Sequence, residues 1–433
     1  MGLLAGKRVV LGVSGGIAAY KSPDLVRRLR EAGADVHVLM TEAATRFVTP
    51  LALEVTSGHP VGLSLWETAQ DGDARRIAHT ERVRDADLVI LAPASADLIG
   101  RIRHGLADDL LTTAVMAAKT PVLLCPSMNT EMLENPLVAA NLAALLTLSR
   151  YHTLPPEPGL LACGVTGPGR LPDPPAIIEA AARVISPRPL TGLRLAVSAG
   201  PTREPIDPVR YIENHATGMM GVELARALAQ LGADVTLVAG PVALRTPVTV
   251  RARVDVTTAA AMRAAILDLW PHLDGLVMTA AVADWRPAEV SADKLKKTEL
   301  ATRAGGPVIA LAPTADILRD LAALPDARRV VRVGFAAETR DVLAYAAGKL
   351  AAKDLDFIVA NNVGTPGVGF GTADNAGWLL TRAGETLALP RQPKAAFADA
   401  LALALASRWP GLFAAPSHAV HDASAQDPGA PDV

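Results

Sequence analysis

The amino-acid sequence predicts an α/β protein built from two doubly wound parallel-sheet domains. One pattern occurs twice: GKRVVLGVSGG leads into IAAYKSPDLVRRLREAGADVHVLMT, and GLRLAVSAGPTREP is followed, after an insertion, by GVELARALAQLGADVTLVAG. Each copy reads as apolar strand, glycine-rich turn, amphipathic helix, GAD helix stop and second apolar strand, which is a βαβ unit. Further short, unbroken apolar runs follow: ADLVILAP and TPVLLCP in the first half, DGLVMTAAVA, RVVRVGFAAE and LDFIVANN in the second. Such runs suit parallel strands covered on both faces.

The 433 residues suffice for two or three separate cores. A formal charge of −2 gives no reason to expect nucleic acid or an anionic membrane as partner. Two cysteines cannot form a disulfide framework, and no apolar run approaches the ~20 residues that span a bilayer. The N-terminus lacks a signal-peptide layout, so the expectation is a soluble cytoplasmic protein. The domain join is expected within VISPRPLTG, residues 184–192, giving domains 1–188 and 189–410. The polar, proline-bearing end, 411–433, reads as a disordered tail.

In doubly wound sheets ligands gather where strand C-termini meet helix N-termini. GVSGGIAAYK supplies Ser14, Gly15 and Gly16 at a helix start, suited either to an anionic phosphate or to a tight turn alone. The following strand ends in VLMTEAA, without an acid for a ribose diol, which favours a mononucleotide such as FMN over a dinucleotide. Ser95 and Asp97 follow the next strand and can reach a ligand or cap a helix. Asn129, in CPSMNTEMLENP, can hold a carboxylate or close an Asx turn. Cys125 reads as core. His79 lies on a helix-like stretch, where a solvated imidazole is as natural as a catalyst. Cys163 sits in EPGLLACGVTGPGR, a glycine-rich stretch that is a poor place to hide a thiol.

In the second half EPIDPVRYIENHATGMMG is a long insertion, and TAAVADWRP sets Asp284 and Trp285 at a strand mouth. The chain's 42 basic residues include nine lysines, five of which are Lys294, Lys296, Lys297, Lys349 and Lys353. Lys349 and Lys353 are spaced i, i+4 on one helix face. A compact ammonium serves phosphates well, although surface charge runs also arise without a ligand.

Together SGGIAAYK, LAPASADLI, GLADDLL, PSMN, LACGVTGPGR, EPIDPVRYIENH, AAVADWRP, KLKK, GFAAET and ANNV resemble, in order, the bifunctional coenzyme A biosynthesis family of bacteria. In that family phosphopantothenoylcysteine decarboxylase is fused to phosphopantothenate–cysteine ligase, and the resemblance spans residues 7 to about 410. It implies two Rossmann-like domains, the N-terminal one a flavodoxin-like flavoprotein fold. Ser14, Gly15, Gly16 and Ser95 then lie at FMN, His79 is the active-site histidine, Asn129 holds the substrate carboxylate, and Cys163 is the proton donor on a closing loop. The implied chemistry is oxidation of –CH₂–SH to a thioaldehyde, loss of CO₂ into a sulfur-stabilised ene-thiolate, then protonation and return of the hydride. For the ligase the resemblance implies CTP with Mg²⁺, 4′-phosphopantothenate and L-cysteine. Asn214 contacts the acyl-cytidylate and Lys294 is catalytic. Ala280, Ala281, Asp284, Lys294, Pro313, Asp316, Ile317, Phe335, Lys349 and Lys353 hold CTP. A homo-oligomer is implied, with trimeric decarboxylase and dimeric ligase contacts that could build a dodecamer. Met219 and Trp285 depart from the family pattern, where Lys and a smaller aromatic are common.

Overall fold

A computed structural model of the chain describes residues 4–66, 80, 82–296, 308–364, 367–369 and 371–409. His79, Lys297 and the tail 411–433 lie outside these residues.

The first sheet is five-stranded and wholly parallel. It comprises β1 (Arg8–Val13), β2 (Asp35–Met40), β3 (Leu88–Ala94), β4 (Val122–Pro126) and β5 (Tyr151–Thr153), in the order β2-β1-β3-β4-β5. Alternation along β1 feeds two cores. Val9 and Leu11 pack with Leu25 and Leu29 of the helix Ser22–Glu31 and Ile177 of the helix Pro174–Ile185. Val10 faces the other side, among Leu91, Leu98, Leu111 and Val115. Cys125 is fully buried in β4, as expected. The turn after β1 opens into a 3₁₀ turn, Ile17–Lys21, before the α-helix begins.

Between β5 and the helix Pro174–Ile185 the chain forms an antiparallel hairpin of β6 (Glu157–Leu160) and β7 (Thr166–Arg170). The second sheet has eight strands: β8 (Arg194–Ala199), β11 (Asp234–Ala239), β12 (Ala252–Asp255), β13 (Gly275–Met278), β16 (Val331–Glu338), β17 (Phe357–Asn362), β18 (Asp374–Thr381) and β19 (Thr386–Pro393). Their order is β12-β11-β8-β13-β16-β17-β18-β19. The first six are parallel, but β18 and β19 add antiparallel to β17. The expected parallel sheet is thus extended at this edge by an antiparallel pair. A short connection suffices for a hairpin, whereas a parallel pair needs a longer crossover, usually through a helix.

Two two-stranded ribbons project from this half. One pairs β9 (Arg203–Pro205) with β10 (Tyr211–Glu213), the other β14 (Trp285–Pro287) with β15 (Leu311–Pro313). The halves are fastened by buried polar contacts. Arg183 donates to the Ala229 and Thr249 carbonyls at 2.7 and 3.0 Å, and Glu179 accepts from the Thr249 N–H at 2.9 Å. Among the described residues no helix is long and apolar enough to cross a membrane.

Candidate functional site

A cleft of about 1450 Å³ opens at the C-terminal ends of β1, β3 and β4. It is lined by Ser14, Gly15, Gly16, Ser95, Asn129 and Cys163, which the sequence separates by up to 149 positions. Ser14 is 1 % exposed, and its hydroxyl donates to the Pro93 carbonyl at 2.7 Å while accepting the Ser95 N–H at 2.9 Å. Ser14 thus lines the cleft and ties the β1 turn to the β3 turn. The Ser95 hydroxyl accepts the Leu98 N–H at 3.2 Å as a helix cap. Among the described residues the Gly15 and Gly16 N–H groups have no backbone acceptor, so they remain for an anion.

Asn129 closes the expected Asx turn and keeps its amide nitrogen turned to the cleft. Its Oδ1 accepts the Glu131 N–H at 2.7 Å, an Asx turn that starts the helix Thr130–Glu134. Its Nδ2 donates to Cys163 Sγ at 3.3 Å. The Cys163 stretch is the tip of the β6–β7 hairpin. Leu161 N–H donates to the Val165 carbonyl at 2.8 Å across the tip. The hairpin is pinned to the PSMNT segment: Met128 N–H and Ser127 Oγ both donate to the Gly169 carbonyl at 3.1 Å, and Thr130 Oγ1 donates to the Pro168 carbonyl at 2.8 Å. Cys163 stays exposed. The Val165 N–H and then the Asn129 amide hold its thiol below the ordinary value, while burial pushes Cys125 far above it.

Only glycine fits at 169. A Cβ there would lie 2.1 Å from the Met128 carbonyl oxygen. Gly169→Ala therefore lifts the hairpin from its seat and destabilises the fold by about 1–3 kcal/mol, the usual cost of overpacking. Denaturant unfolding reads this directly, and an unchanged midpoint would show that the docked position of the hairpin is irrelevant.

A second cleft, of about 650 Å³, lies at the C-terminal ends of β8, β13, β16 and β17. It gathers Asn214, Ala280, Ala281, Asp284, Asp316, Ile317, Phe335, Lys349 and Lys353. Asn214 Nδ2 donates to the Ala281 and Val282 carbonyls at 3.4 and 3.1 Å, folding the long insertion over the strand mouth. Lys349 pairs with Glu338 at 2.6 Å and Lys353 with Asp316 at 3.0 Å. Asp316 also caps the helix Ile317–Ala322 through the Arg319 N–H. Close helix–strand packing below the cleft needs Gly221, whose Cβ would meet Thr279 Oγ1 at 2.4 Å.

Two expected residues are absent from this lining. Pro313 belongs to β15, and its neighbour Thr314 lines the cleft instead. Lys294 is exposed, on a segment tied elsewhere: Leu295 N–H donates to Asp207 at 3.2 Å and Arg210 donates to the Leu295 carbonyl at 2.8 Å. Arg210 holds the buried Asp207 carboxyl well below its usual range. Sequence reasoning missed Lys394 and Asn375, which line the cleft from beyond the last crossover helix. Among the described residues no group of three potential metal ligands occurs here. The Asp35–His37–His59 group lies at the start of β2, the opposite end of the first sheet from its cleft.

Two family models match the chain: Flavoprotein over residues 2–186, and DNA/pantothenate metabolism flavoprotein C-terminal domain over 190–408. The coenzyme A biosynthesis bifunctional protein CoaBC of Vibrio vulnificus is 46 % identical over 92 % of this chain and 96 % of its own length. The chain belongs to the bifunctional coenzyme A biosynthesis family. CoaBC of Escherichia coli K12 is 47 % identical over 90 % of this chain and 94 % of its own, and that of Bacillus subtilis 42 % over 90 % and 95 %. The crystal structure of a CoaBC C-terminal domain is 35 % identical over 52 % of this chain and 99 % of its own, with a TM-score of 0.43. The protein is accordingly a bifunctional enzyme with decarboxylase and ligase activities, and its N-terminal half is a flavoprotein domain.

Proposed function

We propose that the second cleft joins 4′-phosphopantothenate to L-cysteine at the expense of CTP, and that the first decarboxylates the product to 4′-phosphopantetheine with FMN. The observation that carries this reading is the meeting of Cys163 Sγ and Asn129 Nδ2, 3.3 Å apart, at the rim of a cleft floored by unpaired glycine N–H groups. FMN fits that floor: Gly15 and Gly16 offer two donors to its phosphate, and a Cβ on Gly16 would meet nothing within 4 Å.

Bound flavin supplies a two-electron exchange with the substrate's –CH₂–SH group. The chain's own residues supply the rest. Asn129, fixed through its Oδ1, points an amide donor at the place where the substrate carboxylate would replace the sulfur of Cys163. Cys163 gives its proton to the carbon left by CO₂, and the thiolate that remains is stabilised by the Val165 N–H and the Asn129 amide. His79 keeps its proposed place as the active-site histidine.

For ligation the substrate carboxylate attacks the α-phosphorus of CTP and pyrophosphate leaves. The cysteine amine then attacks the acyl carbon and CMP leaves. Charge grows on phosphoryl oxygens, and Lys349 and Lys353 stand in the cleft to receive it. Asn214 sits beside Ala280, Ala281 and Asp284, where the acyl-cytidylate would form. Mg²⁺ would arrive with the nucleotide. Homo-oligomeric assembly, trimeric at the decarboxylase and dimeric at the ligase, belongs to this reading, and Leu51, Val55 and Leu137 are exposed apolar side chains available to it.

The test is a coupled assay with 4′-phosphopantothenate, cysteine, Mg²⁺ and either CTP or ATP. CTP should yield 4′-phosphopantetheine, CO₂, CMP and pyrophosphate from a yellow preparation. Equal turnover with ATP would overturn the nucleotide assignment.

A further inference from the structure

The Asp35–His37–His59 group lines neither cleft. Side chains alternate along a strand, so Asp35 and His37 of β2 share one face while Val36 enters the core on the other. The third member arrives from a different element. His59 follows Gly58, the left-handed cap (φ 78°) that ends the helix Pro50–Ser57. Ser57 Oγ accepts the His59 N–H at 3.2 Å and donates to the His59 carbonyl at 3.1 Å, which fixes the turn that delivers the imidazole.

Both rings converge on one carboxylate. His37 Nε2 lies 2.9 Å from Asp35 Oδ2, and His59 Nε2 lies 2.7 Å from Asp35 Oδ1. The imidazoles stack, with centroids 4.2 Å apart and planes at 19°, so their Nε2 atoms are aimed at the same place. Arg8, opposite Asp35 across the β1–β2 ladder, sends its guanidinium to Asp85 at 3.8 Å. The two nitrogens and the carboxylate oxygen all lie within 4.8 Å of one another. Ligand atoms about 2.0–2.2 Å from a tetrahedral ion sit ~3.4 Å apart, so side-chain torsions alone can close the set. The Asp35 side chain is 53 % exposed, which gives an ion its way in.

We propose that Asp35, His37 and His59 form a structural site for a borderline divalent transition-metal ion of the zinc class, with water as fourth ligand. Two imidazole nitrogens and one carboxylate suit such an ion, whereas Mg²⁺ and Ca²⁺ take oxygen ligands. The site stands at the opposite end of the first sheet from its cleft, so the ion does no chemistry on substrate. It clips β2, the edge strand of that sheet, to the turn after the helix Pro50–Ser57.

The test uses the full chain after chelator treatment, with Zn²⁺, Co²⁺ or Mg²⁺ as the added ion. Wild type binds one more equivalent of Zn²⁺ than His59→Gln, and its Co²⁺ form shows the visible bands of a tetrahedral site. Cys163 and the remaining histidines are common to both chains, so the difference counts this site alone. Free Zn²⁺ about 100-fold above Kd raises a thermal unfolding transition of wild type by about 5–10 °C. His59→Gln and Asp35→Asn lose that shift and weaken binding by at least the roughly 10–100-fold that an outer-shell partner is worth. Asp35→Asn keeps the test alive if His59→Gln misfolds. Equal Zn²⁺ binding by wild type and both variants overturns the proposal, leaving a hydrogen-bonded cluster without an ion. Binding with no thermal shift overturns the clip, and an equal shift with Mg²⁺ overturns the choice of metal.

Discussion

Cys163→Ser slows release of 4′-phosphopantetheine by about 10²–10⁴-fold, the usual worth of a positioned general acid. CTP consumption continues at the wild-type rate, because the thiol stands on the first sheet's hairpin and the nucleotide reading on the second sheet. A serine hydroxyl fits the space and can still accept from Asn129, so the hairpin stays docked. It fails as a donor because its proton is held far more tightly than a thiol's. The pH dependence has a fixed sign. The thiol must be protonated to act, so decarboxylation falls as pH rises through its pKa. The Val165 N–H and Asn129 amide depress that pKa. The fall therefore begins below the range around 8.5 where a free thiol titrates. Replacing Asn129 by Ala moves the alkaline limb upward. The measurement is CO₂ release from supplied phosphopantothenoylcysteine across pH, and a serine variant with normal turnover would remove Cys163 from the chemistry.

Lys353→Met cuts ligation by about 10²–10³-fold, comparable to removing one preorganised donor from a developing oxyanion. Decarboxylation of supplied phosphopantothenoylcysteine is untouched. Lys353 is paired with Asp316 and Lys349 with Glu338. These exposed or half-exposed pairs contribute little to stability, so the variant folds normally. The nucleotide's phosphates have only to outbid a carboxylate each. Pyrophosphate release is the readout, and an unchanged rate would mean that the nucleotide binds elsewhere. The expected role of Lys294 competes with this one. It lies on a segment fastened to Asp207 and Arg210, so it reaches the cleft only if that segment moves.

How much of this was legible in the sequence depends on how local the signal is. β1, β3, β8 and β16 are buried on both faces and so appear as unbroken apolar runs. The glycine turns of β1 and β8 follow directly, and with them the two clefts. β18 does not, because its burial alternates and its partner β19 is largely exposed. The Cys163 hairpin was hidden for another reason: its strands are glycine and proline, and its shape is imposed by the backbone of Met128 rather than by its own side chains. Asn129 was read in two ways because an amide has two ends, and the fold uses both. Lys394 could not be found from spacing. A lysine at a helix start looks like surface until tertiary packing buries it. Pro313 stands one residue outside the lining, because at a strand end the ribbon parts from the cleft wall.

The hydroxyl of Ser14 has a consequence for how a coenzyme settles. By lacing two turns together beforehand, it leaves the cradle little freedom to surrender when a guest arrives. The entropic toll of capture then falls on the guest alone. Severing that lace, as Ser14→Ala does, would loosen retention of the yellow chromophore.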